Sequence, residues 1–264
     1  MSIDLRIKPL DDGKTRNRNP MVLPTPQFSM SVIGGKGVGK TSLIGNLLIN
    51  PNFFRGVFER IIIFSPTIRA DDKWEIILNE DVLYKPKRKK ETDLDPKKED
   101  PDRLKINKGD IHTEPEEYVT ILKDLRKTYK EIYEEDGKSA LPRTLIILDD
   151  VLGLKVLSDK TLVNFIANCR HLNCSVIISV QRYNGIPKTI RVNCTYLIIY
   201  PTYDKKELKS IYEENSSRFS FNEFSEMIME LFESSERRFL AINNQNPPSH
   251  RFIDTFEAFI LKGK

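Results

Sequence analysis

Residues 28–43 read FSMSVIGGKGVGKTSL and contain Gly34-x-x-x-x-Gly39-Lys40-Thr41. An apolar run precedes the glycines, and a helix-like run, 42–49, follows them. Strand, glycine loop and helix in that order are what a phosphate-cradling loop requires. Without a Cβ, glycine takes φ > 0 freely and lets backbone N–H groups close around phosphate oxygens. On this reading Gly34, Gly35, Lys36, Gly37, Val38, Gly39, Lys40, Thr41 and Ser42 hold a nucleoside triphosphate. Lys40 reaches the β- and γ-phosphates and the Thr41 hydroxyl ligates magnesium, so ATP and Mg²⁺ are the expected cofactors.

A second candidate lies far downstream. Leu145-Ile146-Ile147-Leu148 runs straight into Asp149-Asp150. An apolar strand ending in an acid is the Walker B pattern, and Asp149 there would hold the magnesium ion beside Thr41. Asp150 could polarise the attacking water, or it could cap the turn that follows, where aspartate is common. Strand alternation points it to a different side from Asp149. Gln181 ends the run SVIISV, expected beside the phosphate-loop strand. Its amide could bond both the γ-phosphate and the water, or it could bond nearby backbone. Arg170 could reach a neighbouring subunit's γ-phosphate or could simply suit a helix C-terminus; Arg182 and Arg191 compete for the first role. His112, His171 and His250 have no partner at ligand spacing, so no zinc site is expected.

These residues need a frame. Runs at 28–33, 60–64, 144–148, 175–180 and 196–200 are short, apolar and β-branched, as strands buried on both faces are. Between them, 116–135, 162–169, 204–214 and 221–232 read as helices, and 238–242 with 251–256 as a closing strand pair. Apolar strands alternating with helices predict an α/β fold with a mostly parallel central sheet flanked by helices, whose ligands sit at the carboxyl ends of the strands. All the polar candidates are expected at such ends. The 264 residues suffice for one large domain, expected over 27–264 behind a polar arm at 1–26.

Residues 84–115 are proline-dotted, densely charged and nearly free of apolar side chains, and read as a charged insertion. Within it Lys85, Lys87, Arg88, Lys89 and Lys90 put five positive charges in six residues. This is a solvated loop or a grip on a phosphate backbone. The net charge of +4 permits nucleic-acid contact without demanding it. Cys169, Cys174 and Cys194 are odd in number and lack metal spacing, as reduced thiols do. No apolar stretch approaches the ~20 residues of a membrane span, and the N-terminus has no apolar signal core, which points to the cytosol.

The loop at 34–41, the run 145–150, Arg170-His171 and SVIISVQ at 175–181 together resemble the genome-packaging ATPases of the FtsK–HerA superfamily. The branch found in large nucleocytoplasmic DNA viruses and virophages is the most similar. The resemblance covers roughly 28–200. It implies a RecA-like P-loop (ASCE) core that assembles as a homo-oligomeric ring, pentamer or hexamer. Such a ring pumps double-stranded DNA into a preformed capsid, with viral capsid proteins as partners and no membrane. It implies action in the host cytoplasm at the viral factory, or with the virion. By the family pattern Asp149 is the Walker B acid, Gln181 the sensor and Arg170 the trans arginine. Many members carry Glu where this chain has Asp150.

A translocase must grip any sequence, so phosphate contacts suit it better than base readout. Basic stretches at 14–18, 85–90 and 187–191 could supply them. Two other functions compete. A P-loop small-molecule kinase would need a lid of arginines that is not evident. A nucleotide-dependent switch with little turnover draws weight from Asp150 in place of Glu.

Overall fold

A computed structural model describes residues 22–79, 104, 106–151, 153–215, 219–233 and 238–260. Among them nine strands form a single sheet: β1 (Ser29–Ile33), β2 (Arg60–Phe64), β3 (Ile111–His112), β4 (Thr144–Leu148), β5 (Cys174–Val180), β6 (Tyr196–Ile199), β7 (Leu240–Asn243), β8 (Phe252–Asp254) and β9 (Ala258–Phe259). The spatial order is β3-β2-β4-β5-β1-β6-β7-β8-β9. Strands β3 through β6 are all parallel, whereas β7, β8 and β9 continue the sheet antiparallel.

The parallel part is buried on both faces, which explains why its strands read as unbroken apolar runs. Alternation divides each strand between two cores. Met30, Val32, Leu145, Ile147 and Ile177 face α1 (Lys40–Ile49) and α2 (Asp72–Leu78). Ile33, Ile146, Leu148, Val176 and Ile178 face α3 (Tyr118–Asp136) and, beyond a short turn α4 (Lys155–Ser158), α5 (Lys160–Asn168). The short α6 (Lys188–Arg191), α7 (Lys205–Asn215) and α8 (Phe221–Glu233) pack on that second face as well. Tyr118, Leu122, Leu125 and Tyr129 carry the buried stripe of α3, at the three- and four-residue steps of a helix.

The expected α/β architecture with a mostly parallel sheet stands. Strand β5 lies directly beside β1, in register from Ser29↔Val176 to Ile33↔Val180. It therefore separates β1 from β4, so Asp149 reaches the loop across an intervening strand.

Two features of the sheet differ from the sequence expectation. The charged insertion, drawn to 115, rejoins the sheet earlier: Ile111–His112 pairs with β2 as the edge strand, and buried Asp110 takes the Arg60 guanidinium at 2.7 Å. A third antiparallel strand, β9, follows the expected closing pair. Both short strands hold two residues, too few to show any periodicity. Residues 1–21 of the arm expected over 1–26, and the lysine-rich run 85–90, lie outside the described residues, while the arm's end at Val22 and Leu23 is buried in the core rather than polar and exposed. Cys169, Cys174 and Cys194 are free, buried thiols, and burial pushes Cys169 and Cys194 up to about 11.

Candidate nucleotide-binding and hydrolysis site

Strand β1 ends at Ile33 and the chain turns through 34–39 into α1. The turn is anchored at its root, where Gly34 N donates to Val180 O at 3.1 Å. Gly34 is obligatory for space, since a Cβ there would stand 2.6 Å from Tyr200 Cβ and 2.8 Å from Val38 Cγ2. Gly37 and Gly39 take φ of +83° and +106°, which other residues rarely adopt. Gly39 is the N-cap of α1 without any side-chain cap, and no acid occupies the first turn. The leading N–H groups and the positive end of the helix dipole are thus left for an anion. Gly35, Lys36, Gly37 and Ser42 are exposed, while Val38, Gly39, Lys40 and Thr41 are half-buried.

Lys40 Nζ donates to Gly34 O at 2.7 Å and to Gly35 O at 2.8 Å, so the ammonium lies across the concave side of the loop. Burial pushes its pKa down, and the nearby Asp149 and Asp150 carboxylates oppose that. A charged phosphate would supply the remaining compensation.

Asp149 follows β4 and is 4% exposed. Its N–H donates to Phe64 O at 2.9 Å, locking the ends of β2 and β4 together. Trp74 Nε1 donates to its Oδ2 at 2.8 Å. Burial pushes the carboxyl up, the Ser179 hydroxyl and the Trp74 indole favour its charged form, and Asp150 disfavours it. The hydroxyl of Thr41 and the carboxylate of Asp149 are hard oxygen donors suited to a partly hydrated magnesium ion. Ser179 Oγ, fully buried beside Asp149 and with no hydrogen-bond partner of full geometry, fits the same use.

Asp150 lies past the strand, half-buried, at φ +53°. Aspartate tolerates the left-handed region because its short side chain can bond locally; glutamate does so less readily. This accounts physically for aspartate at the position. Gln181 is exposed just past β5, and its Nε2 donates to Asp150 Oδ1 at 3.3 Å. The two candidates for handling water are therefore in contact.

The arginines separate. Arg170 is exposed in the turn between α5 and β5, at the amino end of that strand. The seven residues of β5 put it roughly 20 Å from the phosphate loop of its own chain. The expectation that every polar candidate lies at a carboxyl end fails here, because β5 runs away from the turn that carries Arg170. Arg191 is committed elsewhere: its guanidinium meets Glu214 at 2.7 Å with side chains 10% and 14% exposed, and it stacks 4.7 Å from the Tyr183 ring. Arg182 is exposed next to Gln181 and makes no ion pair among the described residues. The basic stretch 187–191 is reduced to exposed Lys188 once Arg191 is engaged.

Sequence reasoning missed Trp74, because its partner lies 75 residues away and nothing local marks the pair.

A family model described as Poxvirus A32 protein matches residues 105–246, more than half of the chain. The phosphate loop lies upstream of that match, so loop and family are separate observations. Among solved structures, the genome packaging NTPase B204 from Sulfolobus turreted icosahedral virus 2 in complex with ATP-gammaS is 15% identical. It covers 87% of this chain and 97% of its own, with a TM-score of 0.50. B204 of Sulfolobus Turreted Icosahedral Virus, described as a DNA-packaging ATPase, has the same identity and coverage and a TM-score of 0.51. The cytoplasmic domain of the type VII secretion ATPase EccC from Thermomonospora curvata is 13% identical over 89% of this chain and 26% of its own, with a TM-score of 0.51. At such identities the likeness establishes the fold. No curated protein matches the chain.

Proposed function

Because this chain belongs to the Poxvirus A32 protein family, we propose that it is the ATP-hydrolysing motor that drives double-stranded DNA into a preformed viral capsid, working as a ring of identical subunits. The carrying observation is the convergence of three strand ends. The loop after β1, Asp149 after β4 and Gln181 after β5 surround one place at the carboxyl edge of the parallel sheet. Parallel strands bring such ends together, and ligands of open α/β sheets sit there.

Each residue has a defined task. The N–H groups of 35–41 receive phosphate oxygens, and Lys40 turns from the loop carbonyls to the β- and γ-phosphates. Thr41 and Asp149 would hold magnesium, which when bound would neutralise charge on the phosphates. Asp150 accepts the proton of the attacking water. Gln181, bonded to Asp150 at rest, exchanges that bond for the γ-phosphate and reports its loss. Arg170 lies too far to serve its own site, which supports a role on a neighbour's, where a cation offsets transition-state charge. The lysines and arginine at 85–90 grip the DNA backbone without base readout.

The test is ATP hydrolysis with and without long duplex DNA, alongside the mass of the protein in solution. Hydrolysis stimulated by DNA in a ring-sized assembly is expected. A monomer indifferent to DNA would end the motor reading. A switch with little turnover is the second reading, and the short, left-handed Asp150 favours it. Nucleotide binding with negligible hydrolysis in either condition would select it.

A further inference from the structure

Trp74 is the single tryptophan of the chain and is wholly buried. It sits on α2, the short helix after β2. Phenylalanine would fill such a place as a hydrophobic body. The indole adds one N–H that can donate and never accept, and burying it demands an acceptor. That acceptor is Oδ2 of Asp149, 2.8 Å away.

The arrangement is fixed from several directions. Strand alternation sends Asp149, two residues past Ile147, to the face covered by α1 and α2. The bond from Asp149 N to Phe64 O holds the end of β4 against the end of β2, from which α2 follows. Ile77, on the same helix as Trp74, packs against the phosphate-binding helix α1 so closely that a Cβ on Gly45 would lie 2.8 Å from it. On the other side of the carboxylate, Ser179 shares the face of Ile177 on β5. Its hydroxyl is 0% exposed and has no hydrogen-bond partner of full geometry.

We propose that Trp74 is a positioning residue for the magnesium of this site. By holding Oδ2 of Asp149 it presents the other carboxylate oxygen, together with the buried Ser179 hydroxyl beside it, to the ion and its water. The inference rests on the reading of Asp149 as the metal-holding acid. Carboxylates that ligate metals are themselves held by hydrogen bonds, and losing such a partner costs about 10- to 100-fold in metal affinity.

The lone tryptophan makes the test direct. Nitrogen-labelled protein gives one indole N–H resonance from Trp74. It should exchange slowly with solvent, stay in place when a non-hydrolysable ATP analogue binds in EDTA, and move when Mg²⁺ is added to that complex. In Trp74→Phe, half-saturation by Mg²⁺ of analogue binding should need about ten times more metal. Analogue affinity in EDTA should be unchanged. An indole signal that exchanges freely, or that ignores Mg²⁺ in protein that binds the magnesium–nucleotide complex, overturns the proposal. So does Trp74→Phe with wild-type magnesium dependence. If that variant does not fold, the wild-type resonance decides alone. Wild-type protein that binds the analogue with no dependence on Mg²⁺ sinks the metal reading itself, and the proposal with it.

Discussion

Asp149 is 4% exposed, accepts the Trp74 indole and is tied through its own N–H to β2, whereas Asp150, the next residue, is half-buried at φ +53° and takes a 3.3 Å bond from an exposed amide. The contrast extends to their surroundings. Around Asp149 lies a floor of packed elements: α1, α2 and the ends of β2, β4 and β5. Around Asp150 lies a rim of exposed groups, Gln181 and Arg182 among them. The floor is built from elements of one chain and, on the proposed reading, suits tight, constant holding of nucleotide and metal. The rim is open and suits groups that must change partner during a cycle, or receive one from another subunit. On the proposed reading, this separation puts binding and turnover on different residues.

Substitutions can break that separation or sharpen it. Lys40→Ala removes the loop ammonium that lies near Asp149 and Asp150 and should abolish turnover while weakening nucleotide binding. Steady-state hydrolysis and titration with a fluorescent nucleotide measure both. A variant that still turns over would show that the loop is not the phosphate site.

Arg170→Ala should lower turnover on the order of 10³-fold, as loss of a trans arginine does. It should leave binding intact. Mixing it with Lys40→Ala protein, whose Arg170 is present, should restore hydrolysis. If Arg182→Ala behaves this way instead, the trans role belongs to the rim.

Asp150→Asn should lower turnover by about 10²-fold or more, the usual contribution of a general base. Nucleotide and magnesium should still bind, since the floor is untouched. Asp149→Asn should do the opposite and lose the magnesium dependence of binding. Equal behaviour of the two variants would erase the distinction between floor and rim.

Arg191→Ala probes a strut rather than a catalyst. Removing one partner of the buried pair with Glu214 should cost about 3 kcal/mol of stability, read as a shifted denaturant midpoint. Arg170→Ala, exposed, should shift that midpoint by no more than about 0.5 kcal/mol.

Much of the floor was legible in the chain before folding was considered. A glycine loop between a strand and a helix is a local signal, because φ > 0 and close approach are demanded of particular residues. The apolar runs of β1, β2, β4 and β5 announced a doubly covered sheet, and the acid after β4 stood where such sheets bind ligands. The pairing of Gln181 with Asp150 was only half legible, since each residue marked a strand end but neither named its partner.

What folding alone decided has a common cause: it depends on contacts between residues far apart in sequence. Which end of β5 Arg170 occupies follows from the direction of that strand in the sheet. Arg191 is a strut because α7 brings Glu214 beneath it. Trp74 meets Asp149 because alternation turns the acid toward α2 and the packing of α2 on α1 brings the indole there. Residue types and local spacing set what the loop can bind. The register and direction of parallel strands, which no short stretch of sequence encodes, set which side chains share its chemistry.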